Sequence, residues 1–185
     1  MTATPARWHI RQATAADAEA LARFGAQCFR EAYGADTREE DIEAHIAEHY
    51  GTAQQHAEIA EPEAAFLMAF VEGQLHGYAR LRRSVPPEGV GPGDALEIHR
   101  FYLARQAQGS GLAQRLMRDV LDLAHSRGAK RIWLTVWERN ARAIAFYRRW
   151  GFVDCGETVF PVGDDPQIDR LMAIDLPAPS PERPA

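Results

Sequence analysis

The sequence predicts a mixed α/β fold, in which a twisted sheet carries helices on both of its faces. Two apolar runs, at 66–71 and 75–81, flank the turn Glu72-Gly73-Gln74 and predict a β-hairpin. Two strand–turn–helix units follow, the first with its strand at 96–103 and the second with its strand at 132–137. A hairpin followed by alternating strands and helices favours a mixed sheet covered on both sides.

The elements before the hairpin follow from hydrophobic pattern and capping signals. The segment 8–11 predicts a first strand, and an Ala-rich helix is expected at 15–33. A second helix is predicted at 38–50, because Thr37 has the position and spacing of a residue that begins a capping box. A shorter helical turn is predicted at 53–60, ahead of a proline that would stop it.

The later part of the chain contains a loop, a last strand and a tail. The segment 84–94 holds three glycines and three prolines, which predict an irregular loop. A final strand is predicted at 168–176. The residues 177–185 include four prolines and are predicted to form a disordered tail, so 1–176 is expected to be a single domain.

Composition and charge bound the class of protein. The net charge of −5 argues against nucleic acid as a partner and suits a cationic substrate. Cys28 and Cys155 stand far apart in the sequence, which is typical of buried thiols in a reducing compartment. No stretch has the apolar length of a membrane span, and the first residues lack a signal-peptide core, so a cytoplasmic protein without a membrane partner is expected.

The segment Gln108-Gly109-Ser110-Gly111-Leu112-Ala113 joins the strand at 96–103 to an amphipathic helix. A glycine turn between a strand and a helix brings unpaired backbone N–H groups to a phosphate. A Walker loop is excluded because no Lys and Ser or Thr follow Gly111, and Gln114 stands where a dinucleotide fingerprint needs a small residue. The segment predicts a pyrophosphate site, and a simple tight turn remains the alternative.

A second segment follows the strand at 132–137. Asn140 can cap a short helix in which Ala143, Phe146 and Tyr147 share one face, and a glycine ends this helix. The segment predicts a strand, a cap and a helix with one buried face.

The two segments together resemble the cofactor site of the GNAT superfamily of N-acetyltransferases. The first has the pattern of that family's coenzyme A loop, and the second has its Asn-x-x-Ala-Ile-x-x-Tyr sequence followed by Gly-Phe. The segments 24–29, 37–42, 96–103 and 160–169 further resemble the bacterial spermine/spermidine N-acetyltransferases. The resemblance covers about 10–176, most of the chain.

The resemblance implies a mostly antiparallel sheet whose strand 96–103 is splayed from the next strand. The pantetheine arm of acetyl-CoA, the implied co-substrate, is expected to lie in that gap and to pair with the open strand edge. The residues implied in cofactor binding are Phe101, Tyr102, Leu103, Gln108, Gly109, Ser110, Gly111, Leu112, Ala113, Gln114, Asn140 and Arg149.

The implied activity is acetyl transfer to a primary amine by direct attack in a ternary complex. A polyamine-like small amine is the favoured acceptor, and another small amine or a peptide or protein N-terminus stays open. A non-catalytic acyl-CoA-binding module is the alternative from another class. The oligomeric state stays open, and a homodimer is one alternative because relatives of this kind are often dimers.

Three residues are the candidates for catalysis. Tyr147 matches the position from which relatives place a phenol near the sulfur. Strand alternation puts Glu97, His99 and Phe101 on one face, and Glu97 is the first candidate to receive the amine or its proton. His99 is the second candidate, because the usual pKa of histidine lies near neutrality.

His45-Ile46-Ala47-Glu48-His49 fits the inverted zinc-peptidase signature, with its two imidazoles one helical turn apart. A third protein ligand is not obvious in the sequence, so no metal is predicted. A zinc peptidase acting through His45, Glu48 and His49 is kept as an alternative.

Overall fold

The structure, a computed structural model, describes residues 8–177. Pro177 excepted, the predicted tail lies outside these residues. Within 8–177 the chain forms seven strands and five helices, in the order β1 Trp8–Gln12, α1 Ala18–Tyr33, α2 Glu39–His49, α3 Thr52–Ile59, β2 Ala65–Val71, β3 Gln74–Arg82, β4 Ala95–Leu103, α4 Leu112–Ser126, β5 Arg131–Trp137, α5 Ala141–Arg149, β6 Val153–Val162 and β7 Asp165–Asp175.

The seven strands form one sheet in the order β1-β2-β3-β4-β5-β7-β6. Only β4 and β5 run parallel, and every other neighbouring pair is antiparallel. The β4–β5 pair is short, because its register ends at Glu97 opposite Trp133 and the two strands then part. The mixed, mostly antiparallel sheet with a splayed central pair confirms the predicted fold class.

Each face of the sheet is covered by its own helices. On the α4 face, Leu96, Ile98 and Leu134 pack with the apolar stripe of α4 and with α5. On the α1 face, α1 and α2 pack against Trp137 and Val162. The stripe of α4 is wholly buried, and burial of each large aliphatic side chain contributes about 1.5–3 kcal/mol; its members are Leu112, Leu116, Met117, Val120 and Ala124.

The first two helices begin later than the sequence pattern predicted. Residues 15–17 form a single 3₁₀ turn, in which the Thr14 N–H and hydroxyl both donate to Asp17. The predicted capping box before α2 is wrong, because the Thr37 hydroxyl is buried and has no hydrogen-bond partner within residues 8–177. Arg38 instead donates from Nε to Asp41 at 2.7 Å across the first turn.

Among the strands of residues 8–177, only β6 was not predicted from the pattern. It lies at the edge of the sheet, pairs only with β7, and leaves Val153 and Val159 largely exposed. Gly156 and Pro161 interrupt its sequence as turn residues would, and an edge strand tolerates both. No helix in 8–177 is long and apolar enough to cross a membrane.

Candidate active site

A cleft of about 570 Å³ opens where β4 and β5 part. Its lining includes most of the residues that the sequence predicted for the site, and these come from β4, the glycine turn and α5. They are His99, Phe101, Tyr102, Leu103, Gln108, Gly109, Ala113, Gln114, Asn140, Tyr147 and Arg149. Glu97, Ser110, Gly111 and Leu112 are not among the lining residues.

The part of β4 beyond Glu97 has a paired edge and an open edge. Phe101, Tyr102 and Leu103 pair with β3 on one side, and within the described chain no strand pairs with their other side. An extended ligand with amide groups can hydrogen-bond to such an edge as an added strand does. The edge therefore fits the pantetheine arm that the sequence analysis implied.

The glycine turn offers a cradle of backbone N–H groups. Gly109 and Gly111 have φ values of +80° and +94°, the left-handed region that glycine adopts without strain. The N–H groups of Gly109, Gly111, Ala113 and Gln114 make no hydrogen bond within residues 8–177. Unpaired N–H groups at the start of α4 fit a pyrophosphate.

Other atoms of the turn hold its shape and do not face the cleft. The Ser110 hydroxyl donates to the Ala107 carbonyl at 2.7 Å and accepts from the Leu112 N–H at 3.3 Å. The Leu112 side chain is fully buried in the core. A Cβ on Gly111 would lie 2.9 Å from the ring of Trp8, so this glycine is required by its backbone conformation and by its neighbour on β1.

Several arginines contribute to the lining of the cleft. Arg149 was predicted, and Arg105, Arg139 and Arg142 are further lining residues that the sequence analysis did not single out. Arg142 donates to the side-chain oxygen of Gln108, which ties α5 to the glycine turn. Positive charge beside unpaired N–H groups fits the phosphates of coenzyme A.

The helix α5 positions Asn140 and Tyr147. The Asn140 side chain caps the helix by accepting from the Ala143 N–H at 3.0 Å. Tyr147 is 7% exposed and packs edge-on against Phe101 and Phe152. Burial raises the pKa of the Tyr147 phenol, so this group stays protonated and can donate a proton but not accept one.

The predicted role of Glu97 in the cleft does not fit its position. Its carboxylate accepts hydrogen bonds from Arg82 Nε at 2.6 Å and from the Ser84 hydroxyl at 2.7 Å. The predicted shared face of Glu97, His99 and Phe101 is also wrong. A bulge between Ile98 and Arg100 inserts one residue into β4, so Phe101 lies on the α4 face while Glu97 lies on the opposite face.

His99 lies in this bulge and lines the cleft, but its imidazole is too weak a base to accept a proton near neutral pH. Arg80 donates to its Nδ1 at 2.9 Å. Burial, together with the guanidinium groups of Arg100, Arg82 and Arg80, holds the pKa of His99 far below its usual value. The imidazole is neutral, with its proton on Nε2.

Asp169 is a buried acidic residue in the cleft that the sequence analysis did not name as a candidate. It lies on β7 directly opposite Trp137 and is 4% exposed, and one of its oxygens has no hydrogen-bond partner among the described residues. Burial raises the pKa of Asp169 to about 6, and the Thr135 hydroxyl offsets only part of that effect. Strand alternation is the sequence pattern that could have revealed the burial of Asp169, because Asp169 shares its strand face with the apolar Leu171 and Ala173.

The packing of His45 and His49 does not fit a role as zinc ligands, which the zinc-peptidase alternative requires. His45 stacks on Phe29 with ring centroids 4.3 Å apart, and burial is the main cause that lowers the pKa of His45 to about 4. Glu48 is exposed and lies 3.7 Å from His49. Within residues 8–177 no group of three or more His, Cys, Asp or Glu could hold a metal ion.

Comparisons with known proteins agree with this geometry. The family model described as Acetyltransferase (GNAT) family matches residues 26–152. An uncharacterised N-acetyltransferase of Lactobacillus delbrueckii subsp. lactis is 30% identical over 164 residues, which are 88% of this chain and 94% of that protein. The crystal structure of the PaiA N-acetyltransferase from Thermoplasma acidophilum in complex with coenzyme A is similar, with a TM-score of 0.73, 21% identity, and coverage of 92% and 99% of the two chains.

The narrower resemblance to spermine/spermidine acetyltransferases is distant. The spermine/spermidine N(1)-acetyltransferase of Bacillus subtilis is 30% identical over only 92 residues, which are 49% of this chain and 60% of that protein. The match of the family model and the full-length likeness to N-acetyltransferases are the broader findings. The chain belongs to the acetyltransferase (GNAT) family and is an N-acetyltransferase with acetyl-CoA as its co-substrate.

Proposed function

We propose that this chain transfers the acetyl group to a small primary amine that binds beside Asp169 and attacks directly within a ternary complex. The observation that carries the proposal is the buried carboxylate of Asp169, which lines the cleft and has no ion-pair partner among residues 8–177. A buried carboxylate without a cation is costly, and a substrate ammonium would compensate it.

Asp169 can both receive the amine and accept its proton. A free alkyl ammonium has a pKa near 10, so a proton must leave before the nitrogen can attack. A carboxyl with a pKa of about 6 is mostly ionised at neutral pH, yet is a stronger base than an ordinary aspartate. This combination suits a general base that acts on the bound amine directly or through one water molecule.

Tyr147 is the proposed proton donor to the leaving sulfur. Its hydroxyl makes no hydrogen bond to another described residue, and it belongs to the lining of the cleft. Burial raises the pKa of this phenol, which keeps its proton available for transfer. The bound ammonium loses two protons in all. Asp169 accepts the first before attack and passes it to solvent, and after attack the second goes to the Tyr147 oxygen, which has given its own proton to the leaving thiolate.

The remaining groups are proposed to hold the co-substrate, which supplies the acetyl thioester. The open edge of β4 would pair with the pantetheine arm, and the N–H groups of Gly109, Gly111, Ala113 and Gln114 would bind the pyrophosphate. Arg142 and Arg149 add positive charge at the same end. Asn140 has its oxygen engaged as the cap of α5, so its amide nitrogen is the group proposed to contact the co-substrate.

A covalent route through cysteine is disfavoured by Cys28. This thiol lines the cleft, but burial raises its pKa to about 12. The thiolate is the nucleophilic form, and almost none is present at neutral pH. Direct attack by the amine is therefore the proposed route.

The acceptor class is tested by measuring release of the coenzyme A thiol with acetyl-CoA against a panel of amines. Polyamines enter the panel because of the sequence resemblance, and small monoamines and an alanyl peptide represent the other two classes. A non-catalytic binding module would be stabilised by acetyl-CoA yet release no thiol with any of them. That result would overturn the proposal.

The role of Asp169 is tested by Asp169→Asn, with Asp175→Asn as a matched control. Both residues lie on β7, but Asp175 is exposed and paired with Arg131 at 2.6 Å away from the cleft. We expect Asp169→Asn to lower kcat/KM about 100-fold or more, the scale of a lost general base, and Asp175→Asn to leave it near wild type. Equal activity of the two variants would remove Asp169 from the mechanism.

A further inference from the structure

The end of the cleft around Asp169 is walled by aromatic side chains. We name this region the acceptor pocket, formed by Phe29 and Tyr33 of α1, Trp137 of β5, Phe160 of β6 and Asp169. The ring centroids of Tyr33 and Trp137 are 5.0 Å apart, and those of Tyr33 and Phe160 are 6.1 Å apart. A carboxylate among aromatic faces is an arrangement that binds a cation through charge and through the rings.

The aromatic walls are held in place before any ligand binds. The Trp137 indole N–H donates to Gln167 at 2.9 Å, and Gln167 lies opposite Phe160 in the pairing of β6 and β7. The rings of Phe29 and Tyr33 contact each other at a tilt of 30°, with centroids 4.6 Å apart. Fixed rings lose little conformational entropy when a ligand binds, so this pocket can discriminate by shape.

The charges of the cleft leave room for one positive charge on the acceptor. Among the described lining residues only Glu31 and Asp169 are acidic, and Glu31 already pairs with Arg105 at 3.3 Å. Five lining residues are arginines, of which Arg100, Arg105 and Arg139 pair with Glu58, Glu31 and Asp36. Arg142 and Arg149 therefore supply the positive charge that is not balanced within the described residues. A second ammonium on the acceptor would find arginine and no free carboxylate, and like charges in a partly buried site repel.

We propose that the acceptor is a monocationic arylalkylamine, in which one primary ammonium is joined by a short linker to a flat apolar ring. This inference rests on the proposed function and names its substrate class. The ammonium pairs with Asp169, and the ring packs against the aromatic wall that Phe160 and Tyr33 form. Phe160 is the specificity-determining residue, because it lies on the partly exposed strand β6 and is the least buried of the four rings.

The experiment compares kcat/KM for phenethylamine, n-butylamine and spermidine at saturating acetyl-CoA, by thiol release. Phenethylamine and n-butylamine each carry one charge and differ in the ring, whereas spermidine carries three charges and no ring. We expect phenethylamine to exceed both of the others at least about tenfold, the scale of an aromatic contact together with a matched charge. A higher kcat/KM for spermidine than for either monoamine would overturn the inference.

A variant pair tests the part that Phe160 plays. Phe160→Leu keeps an apolar residue and is expected to reduce the ratio of phenethylamine to n-butylamine about five- to tenfold. Val159→Leu is the control, since Val159 is the adjacent residue of β6, is 60% exposed and does not line the cleft. An unchanged ratio in Phe160→Leu, with acetyl-CoA still raising the melting temperature, would also overturn the inference.

The panel separates failure of this inference from failure of the proposed function. If the alanyl peptide or spermidine releases thiol and phenethylamine does not, acetyl transfer stands and the arylalkylamine class is wrong. If none of these amines releases thiol although acetyl-CoA stabilises the protein, the proposed function fails and the inference fails with it.

Discussion

Tyr147 and Asp169 line the same cleft from opposite faces of the sheet. Tyr147 packs with Leu134 and Val136 on the α4 face, whereas Asp169 lies opposite Trp137, which packs with α1 and α2. Side chains alternate along a strand, so residues on opposite faces meet only where the sheet is open. The gap between β4 and β5 thus brings the groups that we propose as proton donor and proton acceptor to one cavity.

The pH dependence of kcat/KM should show the titration of the Asp169 carboxyl group. Burial raises its pKa to about 6, and the adjacent Tyr33 phenol has a raised pKa and stays neutral. Since the carboxylate is the active form, activity should fall as pH drops through about 6, in addition to the steady slope from ionisation of the amine. A profile measured from about pH 5 to about pH 8 checks this. The inflection should be missing in Asp169→Asn, and its persistence there would assign it to another group.

As pH rises and Asp169 ionises, the free energy of unfolding should fall, whereas activity should rise. The folded pKa of Asp169 is raised from 3.8 to about 6, so its contribution to stability is present below about pH 4 and is lost as pH rises through about 6. Asn resembles the protonated acid, so Asp169→Asn should be more stable than wild type at pH 8 by up to about 3 kcal/mol. Urea unfolding at several pH values measures the difference, which should vanish in acid.

Asp175→Asn is the control for that experiment, because the pKa of Asp175 is shifted in the opposite direction to that of Asp169. The hydrogen bond from Arg131 lowers the pKa of Asp175, so its carboxylate contributes stability above its unfolded pKa and loses it as pH falls. The variant should therefore be no more stable than wild type at pH 8. A stability gain in both variants would mean that lost negative charge in general, and not burial of Asp169, is the cause.

Tyr147→Phe should separate chemistry from binding. The ring and its packing against Phe101 and Phe152 remain, and only the hydroxyl is removed. We expect kcat to fall about 10- to 1000-fold, as for loss of one proton donor, with little change in acetyl-CoA affinity. Steady-state kinetics and a thermal-shift titration measure the two quantities. Wild-type kcat would return Tyr147 to a packing role.

Gly109→Ala and Gly128→Ala form a matched pair for the pyrophosphate cradle. Both glycines have positive φ, +80° and +72°, and an added Cβ meets nothing within 4 Å at either position. Each substitution should therefore cost about 1 kcal/mol of backbone strain. Only Gly109 lines the cleft, so only Gly109→Ala should also reduce the rise in melting temperature that acetyl-CoA produces. Equal cofactor-induced shifts in both variants would argue against the cradle.

Glu97→Gln should affect the fold more than catalysis. The substitution weakens the hydrogen-bonded ion pair with Arg82 and the bond from Ser84, which join β4 to β3 and to the following loop. We expect a loss of about 1–3 kcal/mol in the free energy of unfolding. The KM for the amine should change less than about threefold, since no charge contact to the substrate is lost. A tenfold rise in KM with unchanged stability would restore the role in amine binding that the sequence suggested.

Local pattern was sufficient for most of the fold and for the shape of the part of the cleft that we propose holds the co-substrate. The stripe of α4, the turn with Gly109 and Gly111, and the cap formed by Asn140 each depend on residues close together in sequence. Periodicity and capping report such features directly, because the atoms involved are neighbours in the chain. The acceptor half depends on residues that are distant in the sequence, and there the pattern was a poorer guide.

Only the tertiary structure decided where Glu97, His99 and Asp169 lie. The bulge in β4 moves Phe101 to the other face, and strict alternation cannot anticipate an inserted residue. Asp169 acquires its raised pKa from burial beneath α1 and beside β5, elements more than thirty residues away in the chain. The sequence by itself determined most of the secondary elements and the tight glycine turn before α4, because these obey short-range rules. The register of strands and the burial of one carboxylate were decided by long-range packing, which sets both the face of a residue and its charge.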